Sequence, residues 1–143
     1  MKECIFCNIV KGRIPGEIVY EDIDTIAILD IYPANKGHVL VIPRHHSATI
    51  LDTSNESLAG MMSAAKLISR VLMDELEAEG INILQNNFKS AGQVIEHAHL
   101  HLIPRFQDDK VKFSLGPEKY EEGEIKQYAK DFRLALQQCL AGK

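Results

Sequence analysis

Histidine recurs at every second position in the segment His97-Ala-His-Leu-His-Leu-Ile103. On an extended strand, successive side chains point to opposite faces. His97, His99 and His101 would then share one face, with Ala98, Leu100 and Leu102 on the other and neighbouring histidines about 6.6 Å apart at Cα. A solvent-facing strand normally carries Lys, Thr, Glu and Ser, so the repetition of one titratable ring points to chemistry. Rings that titrate near neutrality supply a nucleophile, a proton donor and an orienting partner at physiological pH. A His-x-His pair on a strand also suits zinc, so the spacing alone leaves covalent and metal-dependent chemistry open. The remaining histidines of the six, His38, His45 and His46, lie together in a second short stretch.

Two further groups could serve this centre. Asn86-Asn-Phe-Lys-Ser-Ala-Gly-Gln93 precedes the triad and is rich in amide and backbone donors around a flexible Gly92. Neutral donors of this kind can surround an anionic oxygen and still release a phosphate product, and Lys89 could add charge. No Gly-x-x-x-x-Gly-Lys-Ser/Thr pattern is present, which excludes a P-loop ATPase. Near the N-terminus, Cys4-Ile-Phe-Cys7 has the two-residue gap that lets both thiolates reach one metal. One such pair is half of a tetrahedral site and needs two more ligands. Cys139 reads as a small packing residue in the tail.

These groups must be held by short elements. Ile18–Glu21, Thr25–Leu29 and His38–Ile42 are β-branched or alternating and are separated by Asp, Asn, Pro and Gly, so they read as strands. Ile81–Gln85 and His97–Pro104 read as two more. A short helix is expected within Met1–Arg13, ending at Gly12. The spacing Thr53-Ser-Asn-Glu56 is that of a capping box and opens the clearest helix. Its apolar positions Leu58, Met62, Ala65, Ile68, Leu72 and Leu76 keep the helical period, and Gly80 is expected to stop it. Ile125, Tyr128, Phe132, Leu136 and Leu140 predict a second amphipathic helix within a tail of about 117–141. Strands separated from long helices imply an α+β fold with an antiparallel sheet of about five strands.

Composition narrows the function classes. With 143 residues, 45% hydrophobic and 25% charged, the chain suits one domain with its own core. No repeat, linker or low-complexity segment divides it, so 1–143 reads as a single domain. The net charge of −4 removes the general electrostatic case for nucleic acid. Apolar runs such as Val39–Ile42 are too short to span a bilayer, and Lys2, Glu3, Asn8 and Lys11 break up any signal-peptide core. Three cysteines suit a reducing compartment better than a disulfide framework, so a cytoplasmic location is expected.

The triad segment fills every position of the pattern His-φ-His-φ-His-φ-φ, with φ apolar. With Gly92-Gln93 before it, Gly37-His38-Val-Leu-Val-Ile-Pro43 and Ile5-Phe6-Cys7-x-Ile9, it resembles the histidine-triad (HIT) family over most of Cys4–Arg105. The presence of Cys4-x-x-Cys7 is similar to bacterial-type members that carry an N-terminal zinc pair. The resemblance implies a HIT-like fold and a hydrolase or transferase acting at the α-phosphorus of a purine nucleoside phosphate. His99 would be the nucleophile, forming a nucleotidyl-histidine that water then hydrolyses. One of its ring nitrogens would keep its proton on an acceptor such as a backbone carbonyl. His101 would contact phosphate or shuttle protons. His97 and Gln93 complete the implied catalytic set, Gln93 and Asn86 contacting phosphate oxygens and the leaving group. Asp30 would accept from the ribose hydroxyls. Phe6, Ile9, Ile28 and Ile31 would line the base pocket, and His38 would sit beside the triad.

The resemblance further implies a structural zinc on Cys4, Cys7, His46 and His97, with His45 the alternative to His46, and a homodimer joining two sheets. Val94 departs from the family pattern, which often has Ser or Thr after Gly-Gln, so one hydroxyl donor is missing. Within the implied activity the leaving group is an amine or a second nucleotide. The competing readings are a zinc hydrolase with His97 and His99 on a catalytic metal, and a non-catalytic zinc- and nucleotide-binding protein.

Overall fold

Two apolar faces are written into the central strands, and the fold covers both. Residues 3–142 are described in the computed structural model. The strands β1 (Ile18–Glu21), β2 (Thr25–Leu29), β3 (Val39–Pro43), β4 (Gly80–Leu84) and β5 (Leu100–Arg105) form one antiparallel sheet in the order β1-β2-β3-β5-β4. Ala27, Val39, Val41, Leu100 and Leu102 face helix α2 (Asn55–Glu75) and pack against Met61, Ala64, Ala65, Ile68 and Leu72. Ile26, Ile28, Leu40 and Ile42 point the other way, against Phe6 and Ile9 of the short helix α1 (Ile5–Val10). Burial on both faces explains why β2 and β3 are apolar at nearly every position and not alternately. The edges are β1 and β4.

The described residues fall into two compact units that divide after Val111. All the strands, α1 and α2 belong to the first. The second contains α3 (Glu124–Ala141), which carries no buried residue. Tyr128 stacks edge-on against Tyr120 and Phe132 within that unit, with ring centroids 5.6 and 6.1 Å apart.

The sequence expectations need correction at several ends. The stretch His97–Pro104 is not all strand, because β5 begins at Leu100. Ala98 donates its N–H to the Ser47 carbonyl, and Pro43 has no N–H with which to extend the β3–β5 ladder. The cap of α2 is Ser54, whose hydroxyl accepts from the Ser57 N–H at 3.1 Å, and not Thr53. Thr53 is buried and donates to the Thr49 carbonyl instead. On α2 the sheet side takes Met61, leaving Met62 outward. The helix ends at Glu75, with Leu76 as cap and Glu77 at φ 52°, while Gly80 already opens β4. The tail is helical only from Glu124. Of the N-terminal stretch Met1–Arg13, the helix occupies Ile5–Val10, and Met1 and Lys2 lie outside the described residues.

Candidate functional site

The bend before β5 separates the three triad rings into different surroundings. His97, fully buried, places Nε2 2.8 Å from the Pro43 carbonyl. A carbonyl only accepts, so Nε2 carries the proton and Nδ1 is left as a lone pair. That Nδ1 faces Cys4 Sγ at 3.3 Å, Cys7 Sγ at 3.6 Å and His46 Nδ1 at 3.1 Å, and Cys7 Sγ lies 3.4 Å from His46 Nδ1. The α1 turn makes this possible, bringing Cys4 and Cys7 to one side of the helix while Phe6 and Ile9 are buried on the other. A tetrahedral shell with Zn–S about 2.3 Å and Zn–N about 2.0–2.1 Å has ligand–ligand edges of about 3.3–3.8 Å, so the donor set fits zinc in both chemistry and spacing. His46, not His45, belongs to the converging group. His99 does not, which removes the arrangement of His97 and His99 on one metal. Burial, followed by the neighbouring histidines, holds His97 down to about 4, while its bond to Pro43 opposes them. Its ring is therefore neutral and ready to ligate at physiological pH.

His99 is turned the other way round. Its Nδ1 lies 2.7 Å from the His97 carbonyl, so Nδ1 holds the proton and Nε2 presents the lone pair. Phe6 closes the ring edge-on, with centroids 5.1 Å apart, and the side chain is almost fully buried. Burial lowers its pKa, opposed by the bond to His97 and by Asp30.

His101 follows at a ring distance of 4.9 Å from His99. Its Nδ1 lies 2.9 Å from His38 Nε2, and His38 Nδ1 accepts from the Ala34 N–H at 3.0 Å. That backbone donor keeps His38 Nδ1 unprotonated, so His38 Nε2–H donates to His101 Nδ1. Neutral His101 must then carry its own proton on Nε2. Burial, then His99 and His38, push His101 down to about 4, with Asp30 opposing. His38 is lowered by burial, opposed by Asp30, and further lowered by His99.

The other expected residues divide. Asp30 Oδ2 lies 3.7 Å from His38 Nε2, and Oδ1 accepts from the Tyr32 N–H at 2.8 Å. Phe6, Ile9 and Ile28 are buried in the cluster under α1, whereas Ile31 is 80% exposed just beyond Asp30. Asn86 is half-buried, beside Gly92. Gln93 is committed to backbone. Its Nε2 donates to the Ala48 carbonyl at 2.6 Å and the Ile95 carbonyl at 3.0 Å, and its Oε1 accepts from the Phe88 N–H at 2.7 Å. These bonds clasp the loop over Phe88, a non-glycine residue held at φ 71°. Lys89 and Val94 are exposed.

Sequence reasoning expected a backbone carbonyl at the second nitrogen of His99 without saying which, and the structure supplies that of His97; it missed the Pro43 carbonyl and the Ala34 N–H. All are backbone atoms with no residue-type signature. It also passed over Asn35 and Asp109.

Comparison with known proteins bears on the family and the fold. Residues 11–108 match the HIT domain family model. The chain is 41% identical over 117 residues to the adenosine 5'-monophosphoramidase HNT1 of Candida albicans, covering 79% of this chain and 76% of that one. Among solved structures, a Streptococcus mutans protein superposes with a TM-score of 0.89 at 39% identity, covering 95% of this chain and 87% of that one. A Zn-bound histidine triad family protein of Mycobacterium smegmatis superposes with a TM-score of 0.75 at 39% identity, covering 99% and 98%.

Proposed function

Because the chain belongs to the HIT family, we propose that it is a nucleotide hydrolase cleaving at the α-phosphorus of a purine nucleoside phosphate. The observation that carries the reading is the proton layout: a bare Nε2 on His99 beside a protonated Nε2 on His101. His99 Nε2 attacks phosphorus, and the P–N bond forms as the bond to the leaving group breaks. His101 Nε2–H hydrogen-bonds the departing atom and stabilises the charge developing on it, and an amine leaving group takes its proton from solvent. Water then attacks the nucleotidyl-histidine, its proton passing to solvent as the electron pair returns to His99 Nε2. The His97 carbonyl holds the Nδ1 proton of His99 and stabilises the charge that develops on the ring during attack.

Asp30 receives the ribose hydroxyls on the oxygen not held by Tyr32 N–H. Phe6, Ile9, Ile28 and Ile31 form the base side, with Ile31 the exposed lip. Asn86 and the 86–93 backbone surround the phosphate, and Gln93 acts through the loop that it clasps. The resemblance to a phosphoramidase supports an amine as leaving group, and a second nucleotide is the alternative.

Cys4, Cys7, His46 and His97 would hold a structural zinc. Four protein ligands leave no open position, so its contribution is to pin α1 against the segment before β5. The protein is proposed to act as a cytoplasmic homodimer, two sheets joining at an edge that is otherwise unpaired. Light scattering that returned only the single-chain mass at micromolar concentration would reject the dimer. The hydrolase reading is tested by rapid quenching with α-phosphate-labelled adenosine phosphoramidate. Label on His99 is expected, and an unlabelled protein or label on His97 would overturn it.

A further inference from the structure

Asp109 lies just past β5, with its carboxylate only 5% exposed. It accepts from Arg105 Nε at 2.7 Å and Nη2 at 2.9 Å, from the Phe106 N–H at 2.9 Å and from the Val111 N–H at 3.0 Å. These bonds make a rigid corner. The remaining donor comes from far along the chain: Asn35 Nδ2, at 2.9 Å, which also donates to the Pro104 carbonyl at 2.8 Å. Asn35 belongs to the turn Pro33-Ala-Asn-Lys-Gly37 between Asp30 and His38. Its own carbonyl accepts the His38 N–H at 3.0 Å. The residue before it, Ala34, supplies the N–H that keeps His38 Nδ1 unprotonated.

We propose that Asn35, anchored by Asp109, is a positioning residue that fixes the tautomer of His101 through the Ala34 N–H and His38. The reason is geometric. A short turn has few contacts of its own, and the direction of one peptide N–H within it depends on what holds the turn. The Asn35 amide ties this turn to the end of the strand that carries His101, so donor and acceptor ride on one frame. Without the amide, Ala34 no longer has to point at His38. The ring is then free to protonate on Nδ1, and His38 Nε2 would turn from donor to acceptor. His101 Nδ1 would have to supply the shared proton, leaving His101 Nε2 without the one that hydrogen-bonds the leaving group. Asp30, at 3.7 Å from His38 Nε2, and the ring of His99, at 4.9 Å from that of His101, also face this pair; neither provides a backbone donor that would choose between tautomers. The ordinary alternative is that the corner only holds the end of β5.

The proposal rests on the hydrolase reading for its kinetic arm alone, since tautomers are read without substrate. The protein as isolated, labelled with 15N at histidine, should show His38 and His101 each as a single Nε2–H tautomer. In Asn35→Ala the His38 signals should become those of a mixture, with His101 following. The kcat for adenosine phosphoramidate should fall about tenfold, within the range set by one misplaced hydrogen-bond donor, while KM changes little. Asn35→Ser keeps a turn-forming side chain while removing the amide that reaches Asp109, and it carries the test if the alanine variant does not fold. Variant spectra that superimpose on the parent at both rings, with only the melting temperature lowered, would overturn the proposal. So would a parent protein that already shows mixed tautomers. A parent with the expected tautomers but no turnover would instead sink the hydrolase reading.

Discussion

Two clusters of this molecule are built around histidine pairs at nearly the same separation, and they differ in where the protons are. At His46 and His97 the facing nitrogens are 3.1 Å apart and His97 Nε2 is held by a carbonyl, so the His97 Nδ1 lone pair faces His46 and the two thiols. At His38 and His101 the nitrogens are 2.9 Å apart, but a backbone N–H caps the outer nitrogen of His38 and a proton lies between the rings. One cluster has the donor set and spacing of a metal site, and the other shares a proton between two rings. Asp30, His38 and His101 also lie close enough together to suggest a metal site, yet His38 could ligate through Nε2 only by moving its proton onto the nitrogen that faces Ala34 N–H. A carbonyl at one ring and an amide N–H at the other decide the chemistry of identical side chains.

His99 stands between the two clusters, and its replacement should have the largest effect. His99→Asn keeps polarity while removing the nitrogen proposed as nucleophile, so turnover should fall by several powers of ten, as on loss of a covalent nucleophile. Nucleotide affinity measured by calorimetry should stay close to that of the parent. His101→Asn should slow the reaction and still let the labelled intermediate form. Retained hydrolysis in His99→Asn would mean that neither cluster serves a histidine nucleophile.

The metal-type cluster is sharpened by removing a ligand. Cys7→Ser should reduce zinc from about one per chain, the number one tetrahedral shell holds, to far less. It should lower the melting temperature of the whole domain, because metal bound only by the folded site is linked to folding. Hydrolysis per folded molecule should change much less. A full complement of zinc in the variant, or none in the parent when purified without chelator, would return both thiols to ordinary packing.

Next in size is Asp30, on the proton side. Charge-assisted hydrogen bonds are worth about 1.5–3 kcal/mol each, so Asp30→Ala should weaken adenosine monophosphate binding tenfold or more. A 2′-deoxynucleotide should bind worse to the parent and lose much less in the variant. Equal sensitivity to the missing hydroxyl in both proteins would move the ribose elsewhere.

Side-chain alternation singles out the three triad histidines in the sequence, while the resemblance to the HIT family is what ties His46 and His38 to them. The x-His-x-His-x spacing placed His99 and His101 opposite Leu100 and Leu102, and that separation is kept in the sheet. The strands Ile18–Glu21 and Thr25–Leu29 were equally legible, being short, β-branched and bounded by Asp and Gly. Legibility failed where a backbone group outweighed a residue type. Pro43 stops the ladder short of His97 by lacking an N–H, and the same residue's carbonyl then fixes the His97 ring. Gln93 looked like a phosphate ligand by type and position, yet its amide is used to hold three backbone groups. Gly37 is the clearest local exception. At φ 93°, with a Cβ there running into Leu76, the turn before His38 needs glycine, and the sequence alone showed only that a turn was present.

The smallest expected effect concerns pH, and it reads the protonic cluster directly. In the fold His101 titrates near 4 and His38 below its ordinary 6.5, chiefly because burial disfavours the charged ring. Unfolded, both titrate near 6.5, so the unfolded chain binds protons first as the solution is acidified. Their contribution to stability is therefore complete above pH 6.5 and is lost progressively as pH falls from 6.5 towards 4. The metal-type cluster weakens over an overlapping range as protons compete for its ligands, and a melting curve on the parent alone mixes the two. His101→Gln removes one titrating ring without touching a zinc ligand. Its melting temperature should fall less steeply with acid than the parent's, by up to about one proton's worth of slope. Zinc content followed in the same samples should titrate alike in both proteins. Parallel melting curves across pH 6.5 to 4 would show that the proton lies elsewhere than on this ring, and that the two clusters are more alike than their hydrogen bonds imply.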